Sequence, residues 1–392
     1  MEEGGSVKLR VKYFLSGIAA AFLIFAAVYF LFMYLPFQAE SPSRPDSLGA
    51  QKKVKEIQRI IERNYLGEID QQKQTDYMYL GLVAGLEDPY SVYYTREQYE
   101  ELQKTQEGSY TGIGITIVQN SEDGKIYIQS CVQDSPAAAA GIQEGDCVTA
   151  VNGVSTEGMT TSEVVEQIGS GADQVVLSVV RNGGAAQDIT VEIGMVEMVS
   201  VNSRMLDQQV GYIQITEFTG VTSEQFSEAY ETLNGQGMQK LIIDLRDNPG
   251  GLVSAVCDTL RQILPEGIIV YTEDKNGSRN EELCEGETPI QMPLAVLVNE
   301  SSASASEIFA GAVKDYGIGT LVGTKTFGKG IVQDLFQLSD GSVLKLTVSH
   351  YFTPKGNNIH GTGIAPDVEI DRPEGDSGDA QLEKALEVLE EQ

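Results

Sequence analysis

Lys240-Leu241-Ile242-Ile243-Asp244-Leu245-Arg246-Asp247-Asn248-Pro249-Gly250-Gly251 reads as a strand running into a helix. Leu241 to Leu245 is apolar but for Asp244, and a run that does not alternate in polarity fits a strand covered on both faces. Pro249 and the paired glycines permit a tight turn whose amides point at the N-terminus of the next helix, where negative charge is favoured. Such a turn would cradle an oxyanion or a phosphate, although a plain turn needs the same residues. On either side the rhythm is strand and helix in alternation. Val210 to Ile215 reads as a strand and Ser223 to Leu233 as a helix. Beyond the turn come a helix over Leu252 to Leu264, strands at Ile268 to Tyr271 and Leu294 to Val298, and a helix over Ser304 to Asp315. Strands at Gly319 to Val322 and Ser342 to His350 follow, and Ala380 to Leu389 reads as a closing helix. The pattern predicts an α/β core over residues 191–392, a mixed β-sheet with flanking helices.

Before the core, the texture is that of short strands: Gly112 to Val118, Ile126 to Val132, Cys147 to Val151, Val175 to Arg181 and Gln187 to Ile193. With helices at Ala137 to Ala140 and Thr161 to Ile168, this predicts a compact β-rich module over residues 100–190. Tyr110-Thr111-Gly112-Ile113-Gly114-Ile115 enters the first strand through alternating glycines. Its free amides suit a carboxylate, and the strand edge suits an extended peptide, though G-x-G also makes an ordinary turn. Ser135 to Asp146 supplies Pro136 for a first helical turn and Gly141 for its end, and Gly145-Asp146 and Asn152-Gly153 supply turns around a strand. At these residues the module resembles a PDZ domain of the form found in bacterial and organellar proteases. The resemblance implies that substrate C-termini bind in the groove beginning at Ile113, Gly114 and Ile115.

The chain has 392 residues and a net charge of −30, which argues against a nucleic-acid partner. With 41% apolar and 21% charged residues it is an ordinary globular composition, not a charge-driven disordered one. Cys131, Cys147, Cys257 and Cys284 form no C-x-x-C pair and read as buried apolar residues. Two histidines, His350 and His360, leave little room for an imidazole-rich site, so no metal or cofactor is expected. Tyr13 to Leu35 carries no charge over about 23 residues, roughly 34 Å of helix, enough to cross a hydrocarbon core. Lys8, Arg10 and Lys12 precede it, which places residues 1–12 in the cytosol and everything after the anchor, residues 13–35, outside. A cleavable signal peptide is the alternative, but the apolar region is long and has no clean A-x-A cleavage site. The chain is thus expected in the cell membrane, single-pass, with an extracytoplasmic body. Residues 36–99 read as a linker and a helical region, with Val54, Ile57, Ile60 and Ile61 at helical spacing. Helical flanks at both ends of the body permit a homo-oligomer.

Asn299-Glu300-Ser301-Ser302-Ala303-Ser304-Ala305-Ser306-Glu307 is a second strand-to-helix junction. Ser304 and Glu307 have the spacing of a capping box. A serine on such a junction is also where nucleophile elbows place a hydroxyl beside main-chain amides. Thr326-Phe327-Gly328-Lys329-Gly330 sets a lysine between glycines, as a side chain lying against neighbouring backbone requires, whereas Lys325 reads as surface. A lysine whose pKa is lowered by burial can act as the base for a serine. Histidine is the commoner base, so His350 and His360 remain alternatives.

Asp244 to Gly251, Asn299 to Glu307, Phe327 to Gln333 and Gly361 to Asp367, with Asp88-Pro89-Tyr90-Ser91 upstream, resemble the C-terminal processing peptidases, or tail-specific proteases, and lie in their order. The resemblance covers nearly everything after residue 50 and implies a ClpP/crotonase-like core. It implies Ser304 as nucleophile, Lys329, 25 residues on, as base, and Gln333 as the residue that orients the lysine, sharing its face if both lie on a strand. It also implies an oxyanion hole from the amides of Gly250 and Ala305, and protein or peptide substrates with free C-termini. A catalytically silent PDZ scaffold, in which Ser304 only caps a helix, and a Ser–His hydrolase are the competing readings.

Overall fold

The computed structural model describes residues 47–169, 173–371 and 378–391. The predicted anchor lies outside them, and no helix among the described residues is long and apolar enough to cross a membrane. The chain divides into a unit up to Thr75 and a unit from Asp76 onward. The first contains α1 (Ser47–Asn64) and the start of α2 (Gln71–Ala84), where the Asp70 carboxylate accepts the Lys73 amide at 2.9 Å.

In the second unit, β1 (Val92–Tyr94) leads into α3 (Arg96–Glu107), which a complete Thr95/Gln98 capping box starts, and then into β2 (Ser109–Gly112). The β-rich module follows: β3 (Ile115–Gln119), β4 (Ile126–Cys131), α4 (Pro136–Ala139), β5 (Cys147–Val151), β6 (Val154–Ser155), α5 (Thr161–Ile168), β7 (Gln174–Val180) and β8 (Ala186–Glu192). Its antiparallel sheet runs β3-β4-β5-β7-β8, with β6 paired to β5. Ile113, Ile128, Val151, Val164 and Leu177 are among the residues of its own apolar core. The Asp146 carboxylate, buried, takes Arg181 Nε and Nη2 at 2.7 Å each and also the Gln143 amide, which fixes the Gly145 turn. Chain entry and exit are tied together, because β2 pairs antiparallel with β9 (Gly194–Glu197).

The core is built from β10 (Val201–Met205), β11 (Val210–Ile215), α6 (Thr222–Gly235), β12 (Lys240–Asp244), α7 (Val253–Arg261), β13 (Gly267–Asp274), β14 (Arg279–Cys284) and β15 (Leu294–Val298). It continues through α8 (Ala305–Tyr316), β16 (Thr320–Gly323), β17 (Ile331–Gln337), β18 (Val343–Phe352), β19 (Val368–Glu369) and α9 (Ala380–Glu391). One sheet runs β10-β11-β12-β15-β16-β19, parallel except for the edge strand β10. Leu241 and Ile243 pack under Phe226, Val256, Leu260, Phe309 and Val313 of the helices α6 to α8. Ile242, Ala295, Leu297 and Val322 on the other face are covered by Ala385, Val388 and Leu389 of α9. Two covered faces are the reason the run at Leu241 is apolar without alternation.

The core is two sheets where the sequence suggested one. β13, β14, β17 and β18 form an antiparallel sheet of their own, and β1 completes it by pairing Val92 with Lys345. The segment read as a linker and helical region therefore contributes a strand to the α/β half, and the β-rich module is inserted between that strand and the rest.

Candidate active site

The carboxyl ends of β12 and β15 lie side by side, at the kind of position where open α/β sheets bind ligands. Hydrogen bonds join the two junctions: Asp247 N donates to Asn299 Oδ1 at 2.9 Å, Asn299 Nδ2 to Asp247 Oδ1 at 2.8 Å, and Ala303 N to the Asn248 carbonyl at 3.1 Å. The serines of the second junction then separate by partner. Ser302 is buried, accepts the Asn299 amide and donates to the Leu245 carbonyl at 2.8 Å. Ser306 is buried and donates to the Asn248 carbonyl at 3.0 Å. Ser301 is exposed. Ser304 is half-buried and sits at φ 55°, ψ −112°, immediately before the first residue of α8. A left-handed φ at a residue with a Cβ costs about 1–3 kcal/mol, and such strain clusters where a side chain must be presented. Its carbonyl accepts the Tyr351 hydroxyl at 3.0 Å. Burial raises that phenol well above its ordinary pKa, with Glu307 adding to the shift.

The expected capping box between Ser304 and Glu307 is present, with Ser304 N donating to Glu307 Oε2 at 2.9 Å. The Glu307 amide also donates to the Ser304 carbonyl at 2.9 Å. The Glu307 carboxylate also reaches far beyond its helix. Oε1 accepts Thr326 Oγ1 at 2.6 Å and Gly328 N at 2.7 Å, and Oε2 accepts Lys329 N at 2.8 Å. The backbone amides of Ser304 and Lys329 thus meet on one oxygen atom.

Lys329 is half-buried and Lys325 exposed, in line with their flanks. A Cβ at Gly330 would come within 2.6 Å of the His360 amide nitrogen, so the backbone beside Lys329 closes on the 359–363 loop as only glycine allows. Burial is the largest influence lowering the Lys329 pKa and Lys345 lowers it further, while Asp88 and Glu307 pull it back up. The ammonium lies 4.7 Å from the centroid of the Tyr90 ring. Tyr90 N and Ser91 Oγ donate to Asp88 at 3.0 and 2.6 Å. The Asp-Pro-Tyr-Ser motif therefore sits over the lysine, a role its sequence alone did not disclose. Gln333 donates to Thr347 Oγ1 at 3.3 Å. β17 begins at Ile331, two residues after Lys329, so the expectation that the two share a strand face is corrected. His350 and His360 are both exposed and lie against each other with tilted rings, centroids 5.6 Å apart and planes at 58°.

Gly250, at φ 108°, packs so closely on the nucleophile junction that a Cβ there would lie 2.7 Å from the Ala303 carbonyl and 2.8 Å from Ser304 Cβ. Its amide does not stand free as expected: it donates to Asn248 Oδ1 at 2.8 Å, an Asx turn closed by the side chain two residues back. Ala305 N, at the first position of α8, has no intrahelical acceptor available. In the β-rich module, Ile113 is buried in the core and its carbonyl accepts Ala137 N, while the Gly114 carbonyl accepts Val132 N. A groove at this end offers backbone, not the Ile113 side chain. β3, which starts at Ile115, is an edge strand with α5 packed against it, and Val118 and Val165 are exposed.

The family model of peptidase family S41 matches residues 209–370, the PDZ domain model residues 101–180, and the N-terminal domain model of the activating protease CtpB residues 36–98. A carboxyl-terminal-processing protease of Synechocystis is 37% identical over 320 residues, 79% of this chain and 75% of that protein. The carboxy-terminal processing protease CtpA of Bacillus subtilis is 36% identical over 324 residues, 82% of this chain and 69% of that protein. Among solved structures, the photosystem II D1 C-terminal processing protease matches at 28% identity and TM-score 0.48, over 81% of this chain and 86% of that one. The matching family models and sequence relatives define a serine peptidase carrying a PDZ domain. The chain belongs to peptidase family S41, with the carboxyl-terminal processing proteases as relatives.

Proposed function

We propose that this chain is a membrane-anchored endopeptidase that captures C-termini of unstructured protein substrates on its PDZ domain and cleaves them with a Ser304/Lys329 dyad. The observation that carries the reading is the attachment of a strained, half-buried serine and a desolvated lysine to the same Glu307 oxygen. Ser304 Oγ attacks the scissile carbonyl as its proton passes to Lys329 Nζ, which returns it to the leaving amine; water then cleaves the acyl-enzyme by the same route. Lys329 leaves the Tyr90 ring to do so, and catalytic hydrogen bonds commonly tighten only with substrate in place. Gln333 would orient the amine in that engaged state. Ala305 N–H and Gly250 N–H face the developing oxyanion, a charged acceptor that outcompetes the neutral Asn248 amide oxygen for the Gly250 proton. Exposed histidines that lie against each other favour lysine over a Ser–His arrangement.

Anchoring rests on the uncharged stretch Tyr13 to Leu35 behind Lys8, Arg10 and Lys12, which puts the catalytic body outside the membrane. Capture of the C-terminus rests on the open edge of β3 beside α5. The test is mass spectrometry of products from peptides that differ only at the C-terminus, with Ser304→Ala as control. A free carboxylate should be cleaved faster than its amide; equal rates would remove carboxylate capture from the account, and products formed by Ser304→Ala would remove the nucleophile.

A further inference from the structure

We infer that Glu307 is a positioning residue for the dyad: its buried carboxylate fixes the backbones of nucleophile and base to one another. The inference rests on the Ser304/Lys329 reading. Glu307 is 0% exposed, and its two oxygens take four donors, Ser304 N, Thr326 Oγ1, Gly328 N and Lys329 N, at 2.6–2.9 Å. A helix cap at this position needs only the first of these. The other three come from the loop between β16 and β17, which has no strand partner over these residues. Thr326 Oγ1 in turn accepts the Ile364 amide at 2.7 Å, so the glycine-rich loop beyond His360 is drawn into the same cluster.

All four partners donate, so the position calls for a group that only accepts, and a carboxylate offers about four acceptor sites. Glutamine has the same size but turns one oxygen into an NH2. Facing Ser304 N and Lys329 N, that NH2 would oppose two donors; facing Thr326 and Gly328, it would oppose two others. Either way one side of the clamp opens. Because Ser304 N and Lys329 N share a single atom, release of the lysine segment changes the distance between base and nucleophile without touching substrate.

In the full chain, Glu307→Gln is expected to lower kcat about 10²-fold, the scale of a roughly 1 Å misplacement, with KM unchanged. The acid limb of its kcat profile should also move to lower pH, because the charge removed favours the protonated form of Lys329. A purely structural cap would move neither the kcat/KM split nor that limb. Lys329→Ala, assayed beside it, separates the two readings. If Lys329→Ala still cleaves, the dyad is wrong regardless of Glu307; if Lys329→Ala is inactive and Glu307→Gln cleaves at the wild-type rate, the positioning role alone is wrong. Should Glu307→Gln fail to fold, hydrogen exchange on the wild-type chain decides: the Ser304 and Lys329 amides are expected to be protected and to exchange at one shared rate. Fast exchange at Lys329 beside a slow Ser304 would overturn the clamp.

Discussion

Lys329 sits where burial and charge act in opposite senses. Desolvation disfavours its ammonium and so does Lys345, itself half-buried, while Asp88 and Glu307 favour it. A general base must be neutral to act, so kcat/KM should rise with pH through the lowered pKa of Lys329 and then level. Replacing Lys345 by Met removes a positive neighbour, lets the ammonium persist to higher pH, and moves that limb upward. A pH–rate profile of Lys345→Met that superimposes on the wild type would remove Lys345 from the account. In the sequence, the glycines flanking Lys329 and the strand-to-helix junction around Ser304 marked both as candidates, and the resemblance to the C-terminal processing peptidases singled out Ser304 among the serines. Residue pattern alone does not tell Ser304 from its neighbours, whose partners are distant in the chain. Ser302 and Ser306 are withdrawn by carbonyls of Leu245 and Asn248, more than fifty residues away in the chain. Glu307 was legible only as a cap, because three of its four partners lie 19 to 22 residues beyond it in a loop without periodicity.

Among the elements, the buried parallel strands were the most readable. β12 and β15 have both faces covered, and their composition records it. β14 was not readable: Arg279 to Leu283 are exposed, and without a buried face there is no alternation to detect. β1 was missed because three residues carry too little pattern, and its partner β18 is some 250 residues on. The loop that carries Lys329 depends on close approach at Gly330. Gly330→Ala should push this backbone away from His360 and lower kcat/KM about 10²-fold, with the far-ultraviolet spectrum unchanged. Wild-type activity in that variant would show that the loop tolerates the displacement.

At the scale of the molecule, the PDZ domain is inserted between β1 and the core, and the β2–β9 pair ties its two ends together. The same lead-in carries Asp88 and Tyr90 onto the lysine. The anchor proposed for residues 13–35 predicts that the chain stays with membranes through alkaline carbonate extraction. Its release into the supernatant would exclude a spanning helix. The claim on which the rest depends is that Ser304 is the nucleophile and Lys329 its base. Labelling by a fluorophosphonate, followed against pH in the wild type, Lys329→Ala, His350→Ala and His360→Ala, tests it directly. The account predicts modification of Ser304 alone, at a rate that rises to a plateau with pH, is kept in both histidine variants and falls about 10²–10⁴-fold in Lys329→Ala. Labelling of a different serine, or an unchanged rate in Lys329→Ala with loss in a histidine variant, would contradict it.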